Sequence, residues 1–284
     1  MSDWRILALD LDGTVMGDGE SISPAVVAAL QAARARGVRV VLATGRADGL
    51  ARKYAARLGL RDPIICYHGG MIVDGETGEV LYEAIMPSEL AVAAIRWGRQ
   101  RGRHLLLFAD GKLWIDELRY PPSVYEHWMG LPLHEVDALD AALEACQVCR
   151  VLKVIDFLSD AEKDTPSVIL EWREAFGDRL LAMRTHPLFI ELTSPEVSKG
   201  HALAWLAARW GTPRAQVIAV GDAENDLSMI EWAGLGVAMG QAPAHIRAAA
   251  DWVAPSVAED GVAAVVARFI LNGDSNVLRD ELSA

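Results

Sequence analysis

Short, largely apolar runs that each stop at a polar residue recur along this chain with amphipathic helical stretches between them, an alternation that few folds accommodate. Trp4 to Leu9 ends at Asp10, and Val38 to Ala43 ends at Thr44. Between them, Pro24 to Arg36 places Val26, Val27, Leu30 and Ala33 on one helical face, with Ser23 as the expected cap and Pro24 in the first turn. Arg46 to Leu58 reads as a second helix and Pro63 to Tyr67 as a further strand. The opening third is therefore expected to be βαβαβ with a parallel sheet. Met71 to Val73 and Val80 to Tyr82, separated by DGETGE, predict a hairpin.

After Pro87 the texture changes. Helical patterns at Glu89 to Arg101, Ala138 to Ala145 and Ser167 to Phe176 alternate with strand patterns at His104 to Phe108, Leu113 to Ile115, Val151 to Phe157 and Leu180 to Arg184. Beyond His186 the first pattern resumes, with strand Leu188 to Leu192, helix Lys199 to Trp210 and strand Gln216 to Val220. Helix Asn225 to Ala233, strand Leu235 to Ala238 and a final helix near Val262 to Leu271 complete it. The expected architecture is α/β: a doubly wound parallel-sheet core from residues 1–84 and 188–284, with a second α/β domain inserted at 85–187. A chain of 284 residues is near the size at which one core gives way to two. The polar tail, Asn272 to Ala284, is expected to fray.

Charge narrows the partners. Lys and Arg total 27 against 39 Asp and Glu, a formal charge of -12, so the basic surplus that nucleic-acid binders use to neutralise phosphates is missing. The start, MSDWRILALDLDGT, does not read as a signal peptide, and no apolar stretch approaches the roughly 20 residues that span a bilayer. A cytoplasmic protein that binds neither nucleic acid nor membrane is the expectation. The three cysteines, Cys66, Cys146 and Cys149, are too few for a disulfide framework. Cys146 and Cys149 form a CxxC pair, but it follows a helix pattern and precedes a strand, the wrong place for a thioredoxin-like motif, and further zinc ligands at suitable spacing are wanting. Buried packing is the expected role.

In an open parallel sheet, ligands bind beyond the carboxyl ends of the strands. Four such ends carry suggestive groups. Asp10 and Asp12 in DLDGT can face one ligand, because side chains alternate with period two, and Gly13 lets the chain turn behind them; the same residues also suit an ordinary surface turn. In ATGR, the Thr44 hydroxyl and the N–H groups around Gly45 open a helix and suit an anion, although Thr44 could be only an N-cap. Lys199 in SKG stands at a helix N-terminus, where a cation is disfavoured unless an anion is expected, or it is merely a surface lysine. GDAEND adds Asp222 and Asp226, oxygen donors of the kind magnesium prefers, though Asp226 could instead cap the next helix. Taken together they suggest metal-assisted phosphoryl transfer: a carboxylate nucleophile, a cation to screen it, and Thr44 and Lys199 holding the transferred oxygens.

DLDGT, ATGR, SKG and GDAEND, in this order, resemble the four motifs of the haloacid dehalogenase superfamily, and their spacing resembles its Cof-type subgroup with an inserted α/β cap. The likeness extends to ISPAVVAALQAARARGVRVVLATGR, SPEVSKGHAL and ADWVAPSVAEDGVA. It implies a Rossmann-like core, a substrate-specificity cap at 85–187 and a magnesium-dependent phosphatase acting on a small phosphomonoester such as a sugar phosphate. By the resemblance Asp10 is the nucleophile and Asp12 the general acid and base. Asp10, the carbonyl of Asp12 and Asp222 would hold magnesium with Asp226 in support, and Thr44, Gly45, Lys199 and Asn225 would bind phosphate. Two positions depart from the subgroup: His68-Gly69-Gly70 stands where NGA is common, and Gly240-Gln241-Ala242 where GNA is common. His68 is thus either a substrate contact or a structural histidine. Of the nine tryptophans, Trp205 and Trp210 are expected in the core, while Trp114 or Trp128 could line an entrance. A phosphomutase would use the same Asp10 and Asp12, and a non-catalytic phosphometabolite-binding regulator could keep the fold. A P-type ATPase lacks its membrane helices here, and a dehalogenase would not need Asp222.

Overall fold

A computed structural model describes residues 4–17, 20–129, 131–145, 150–159, 167–186 and 188–272. The CxxC pair, the Trp128 side chain and the tail beyond Asn272 lie outside what is described. The chain divides into two compact units, Met1–Tyr82 with Ser198–Ala284, and Glu83–Val197.

The first unit is built on a five-stranded sheet in the order Trp252–Val253, Leu235–Ala238, Val217–Gly221, Ile6–Leu9, Arg39–Leu42. All neighbours are parallel. Its two central strands are buried at every position, which is why they read as continuous apolar runs rather than alternating ones. Ile6, Ala8, Val217 and Ala219 share a core with Leu203 and Leu206 of helix Lys199–Arg209 and Met229 of helix Leu227–Trp232. Helix Pro24–Ala35, capped by the Ser23 hydroxyl, packs on strand Arg39–Leu42 and on the helical segment from Gly261 to Leu271. The third expected strand shrinks to Ile64–Cys66 and heads a separate three-stranded sheet with Met71–Val73 and Val80–Glu83, touching the main sheet through one parallel bridge, Ala43 to Ile65. Trp205 and Trp210 pack half-buried at the edge of the first unit's core.

The second unit has a six-stranded sheet in the order Leu181–His186, Phe189–Thr193, Val151–Phe157, Leu105–Ala109, Lys112–Ile115, Leu133–Glu135. Only the last pair is parallel. Leu105 and Leu107 face a core closed by Ile95 of helix Ser88–Arg99, Leu143 of helix Leu139–Ala145 and Trp172 of helix Ser167–Phe176. Leu106, Ile155 and Phe157 face the other way, onto Tyr125 of helix Pro122–Met129. Trp114 donates its indole N–H to the Ala109 carbonyl at 3.1 Å and packs on the Ile95 side of the core.

One expectation needs correction. Leu188 to Leu192 was expected to return the chain to the first sheet, but Phe189–Thr193 pairs antiparallel with Val151–Phe157 and belongs to the second. An apolar run states that a strand is buried, not which neighbour it pairs with. Phe189 joins the Tyr125 face and Ile190 and Leu192 the Trp172 face, so the return to the first unit comes at Ser198.

Within the second unit, His104 is buried with Nε2 2.7 Å from the Tyr125 hydroxyl. That hydroxyl accepts the N–H groups of Arg119 and Tyr120 at 3.0 and 3.1 Å, so its own proton goes to Nε2, and the imidazole is neutral. Burial and then the Arg119 charge push His104 down from 6.5 to about 4, against Glu117 and Asp116. The unfolded chain therefore takes up this proton at higher pH than the folded one, and the contribution to stability, present above 6.5, is lost as pH falls through about 4. The His104 ring resonances are expected to remain those of a neutral imidazole at pH 5, and His104→Phe to flatten the loss of stability in urea melts between pH 6.5 and 4. A His104 that titrates at its ordinary value would contradict this.

Candidate active site

The parallel register Leu9↔Val220 brings the ends of two central strands level, so the residues that follow them, Asp10 and Asp222, emerge on one edge of the sheet. Asp10 is almost fully buried and its N–H still donates to the Val220 carbonyl at 2.9 Å. Behind it the chain turns at Gly13, with φ of +82°, where a Cβ would stand 2.2 Å from Asp222 Oδ2. Only glycine meets both demands.

Lys199 enters from the helix it opens. Ser198 caps that helix by accepting the His201 N–H at 3.0 Å, and Gly200 lets it approach so closely that a Cβ would be 2.2 Å from the Ser228 carbonyl. The Lys199 side chain is fully buried, and Nζ lies 2.6 Å from Asp10 Oδ1 and 2.5 Å from Asp226 Oδ1. The surface-lysine alternative is thereby excluded. Asp226 Oδ2 accepts the N–H groups of Asp222 and Ala223 at 2.9 and 3.0 Å, so both its oxygens are committed to holding Lys199 and the turn that carries Asp222.

Asp10, Asp222 and Asp226 each offer an oxygen within 4.8 Å of the others. Against three carboxylates stands one ammonium. Burial, partly relieved by the Lys199 charge and reinforced by Asp226 and Asp222, pushes Asp10 up to about 7. Burial and then the Asp226 charge also raise Asp222. For Lys199, burial acts to lower the value, but the charges of Asp10 and Asp226 outweigh it and hold the ammonium protonated. Asp222 Oδ1 is buried without a hydrogen-bond partner. An acidic pocket short of positive charge, with an orphaned carboxylate oxygen, fits a hard divalent cation with oxygen ligands. Asp10, Asp222 and Asp226 form a group that could hold one.

Asp12 is held elsewhere. Its two oxygens accept Arg46 Nε at 2.8 Å and Nη2 at 2.6 Å, and Arg46 Nη1 reaches Glu20 at 3.2 Å and the Tyr54 hydroxyl at 3.4 Å. The Thr44 hydroxyl oxygen is buried and accepts the Arg46 N–H at 3.1 Å. It does not cap the following helix, Asp48–Arg57, whose N-cap is Ala47. The Thr44 N–H is spent on the Ile65 carbonyl at 2.8 Å, so of this residue's groups the hydroxyl proton is the one left for an anion.

Gly45 packs against the His68 ring, where a Cβ would come within 2.2 Å, and Asn225 Nδ2 lies 2.9 Å from His68 Nδ1. His68 stands in a turn with Tyr67 and His68 both at positive φ, 51° and 58°, docked through its own N–H on the Thr44 carbonyl and the Tyr67 N–H on the Arg46 carbonyl. Arg46 and Glu20 did not stand out in the sequence, and Gln241 did so only as a departure from the subgroup. Arg46 is the last residue of ATGR and could have been marked there as an anion partner; nothing in the spacing marked Glu20.

The family model for haloacid dehalogenase-like hydrolases matches residues 7–266, and the chain belongs to that family. YxeH of Bacillus subtilis is 30% identical over 273 residues, covering 94% of this chain and 99% of that one. The 5-amino-6-(5-phospho-D-ribitylamino)uracil phosphatase YcsE of the same organism is 27% identical over 274 residues, covering 95% and 97%. A crystal structure of a haloacid dehalogenase-like hydrolase from Bacteroides thetaiotaomicron superposes with a TM-score of 0.78 at 30% identity, covering 94% of this chain and all of that one. Among the described residues, no helix is long and apolar enough to cross a membrane.

Removing the ammonium while leaving its buried carboxylates tests the electrostatics. Lys199→Met is expected to lower the free energy of unfolding by about 3–5 kcal/mol at pH 7.5, as for other broken buried ion pairs. Urea denaturation measures it. A loss under about 1 kcal/mol, the range of exposed pairs, would show that the Lys199 ammonium contributes no more than a surface ion pair.

Proposed function

We propose that this chain is a magnesium-dependent phosphatase that hydrolyses a small phosphomonoester through an aspartyl-phosphate on Asp10. The single observation that carries the reading is the buried Lys199 bridging Asp10 and Asp226 beside the unpartnered Asp222 oxygen. The chain is a hydrolase of phosphomonoesters, as its family and its relatives named as phosphatases indicate. YcsE is named for a phosphorylated ribityl compound, which supports a sugar phosphate or related metabolite as the substrate class.

Magnesium held by Asp10, the Asp12 carbonyl and Asp222 would screen the nucleophile from the anionic phosphate and neutralise charge in the transition state. The protein supplies the rest. Lys199 draws the substrate's phosphoryl oxygens and favours the ionised form of Asp10, while the Thr44 hydroxyl, the Gly45 N–H and the Asn225 amide complete the phosphate cradle. An Asp10 oxygen attacks phosphorus, the bond to the ester oxygen breaks, and Asp12 gives that oxygen its proton. Asp12 then takes a proton from water as its oxygen attacks phosphorus, the bond to Asp10 breaks, and inorganic phosphate leaves. Arg46 fixes where the Asp12 carboxylate sits, and the acid step requires one oxygen to leave that fork and carry a proton. Selection of the substrate is assigned to the inserted unit, Glu83–Val197, which interrupts the chain between the segments bearing Thr44 and Lys199.

The two carboxylates of DLDGT have unlike tasks, and rapid-mixing kinetics separates them. Asp10→Asn should abolish turnover of every ester. Asp12→Asn should slow hydrolysis of a sugar phosphate by roughly 100-fold or more, the usual yield of general acid catalysis, while phosphorylation by p-nitrophenyl phosphate, whose leaving group needs no proton, survives better. Equal slowing of both esters by Asp12→Asn, or substantial turnover by Asp10→Asn, would overturn the assignment.

Activity should also vanish on exhaustive chelation, return with magnesium and fall with calcium, whose longer and more numerous bonds let Asp10 shift from its line of attack. Release of free phosphate without an added bisphosphate activator separates hydrolysis from a mutase reaction.

A further inference from the structure

Gln241 lies just beyond strand Leu235–Ala238, at one of the two positions where the chain departs from its subgroup. Its side-chain amide is engaged on both sides. Nε2 donates to the Gly13 carbonyl at 2.5 Å and to Asp222 Oδ2 at 3.3 Å, while Oε1 accepts the Val257 N–H at 3.0 Å. Two acceptors on one side and a backbone donor on the other admit one orientation of the amide, because flipping it would set oxygen against oxygen and N–H against N–H. One side chain thus ties together the turn behind Asp10 and Asp12, the turn bearing Asp222, and the segment at Val257.

The Asp222 backbone is fixed by its N–H bond to Asp226, but that bond leaves the carboxylate free to rotate about its last torsion. Gln241 removes the freedom. With Oδ2 taken by the amide, Oδ1 is the buried oxygen that keeps its lone pairs unused. We propose that Gln241 is a positioning residue for the metal ligand Asp222, selecting Oδ1 as the oxygen presented to the cation. The proposal rests on the magnesium reading above. Magnesium demands near-octahedral geometry at about 2.0–2.1 Å, so a carboxylate held in one rotation binds it better than one that must be ordered first.

Calorimetric titration of the full chain with magnesium chloride tests this, paired with the unfolding midpoint in chelator. Gln241→Met keeps the length and loses the amide; Gln241→Ala removes the side chain that spans from the Val257 N–H to Asp222. Both should raise the magnesium dissociation constant roughly 10- to 100-fold, the range for loss of a group that orients a metal ligand, with the metal-free midpoint close to that of the wild type. Wild-type affinity in both variants would overturn the proposal, including when the metal-free midpoint falls, since Gln241 would then only clip loops together. A wild-type chain that takes up no magnesium would bring down the metal reading and this inference with it, a result distinct from equal binding by all three proteins.

Discussion

The ammonium of Lys199, fully buried between Asp10 and Asp226, is the interaction on which the remainder of the site hangs. A lone charge there would cost many kcal/mol to desolvate, and a helix N-terminus repels a cation besides. Two carboxylates offset both costs, and each arrives by a different route. Asp10 comes off a central strand still hydrogen-bonded to its neighbour, whereas Asp226 comes from a short helical turn and spends its second oxygen on the backbone that carries Asp222. The ion pair therefore reaches beyond its partners and fixes the turn of the second strand. Glycines at 13 and 200 make the approach possible, one by turning the chain against Asp222 and the other by seating the lysine's helix close to its neighbour.

Much of this was legible beforehand, for a physical reason. Parallel strands covered on both faces must be apolar at every position, so Ile6–Leu9 and Val217–Gly221 stand out, and the chemistry of such sheets gathers where the runs stop. Asp10, Lys199, Asp222 and Asp226 were found that way, and the structure brings them together. Pairing was not legible: Phe189–Thr193 is buried at every position like a core strand, yet it pairs within the inserted unit's sheet. Polar contacts between distant segments were equally silent. The fork of Arg46 on Asp12 and the clasp of Gln241 on Gly13 and Asp222 join residues far apart in the chain, and a hydrogen bond leaves no periodic trace.

In the first unit the buried acids around Lys199 outnumber the cations, which leaves room for an ion and an anionic substrate. In the second, the buried Lys153 and Glu191 pair with each other at 2.7 Å. His104 is kept neutral there by a tyrosine hydroxyl that already serves two backbone N–H groups, and Trp172 donates its indole N–H to Asp156 at 2.8 Å. These bonds lock Tyr125 and Trp172, the large side chains that close the two faces of the sheet.

The turn at Tyr67 and His68 has a consequence for how such a chain can change over generations. Two successive residues without the freedom of glycine hold a left-handed conformation, which persists only because the segment from Thr44 to Arg46 grips their N–H groups. The His68 ring in turn fills the space where residue 45 would carry a Cβ. With histidine at 68, a side chain at 45 would have to displace the ring, whatever the part of Gly45 in binding an anion. Position 45 can therefore gain a side chain only together with a shift of the ring 23 positions downstream.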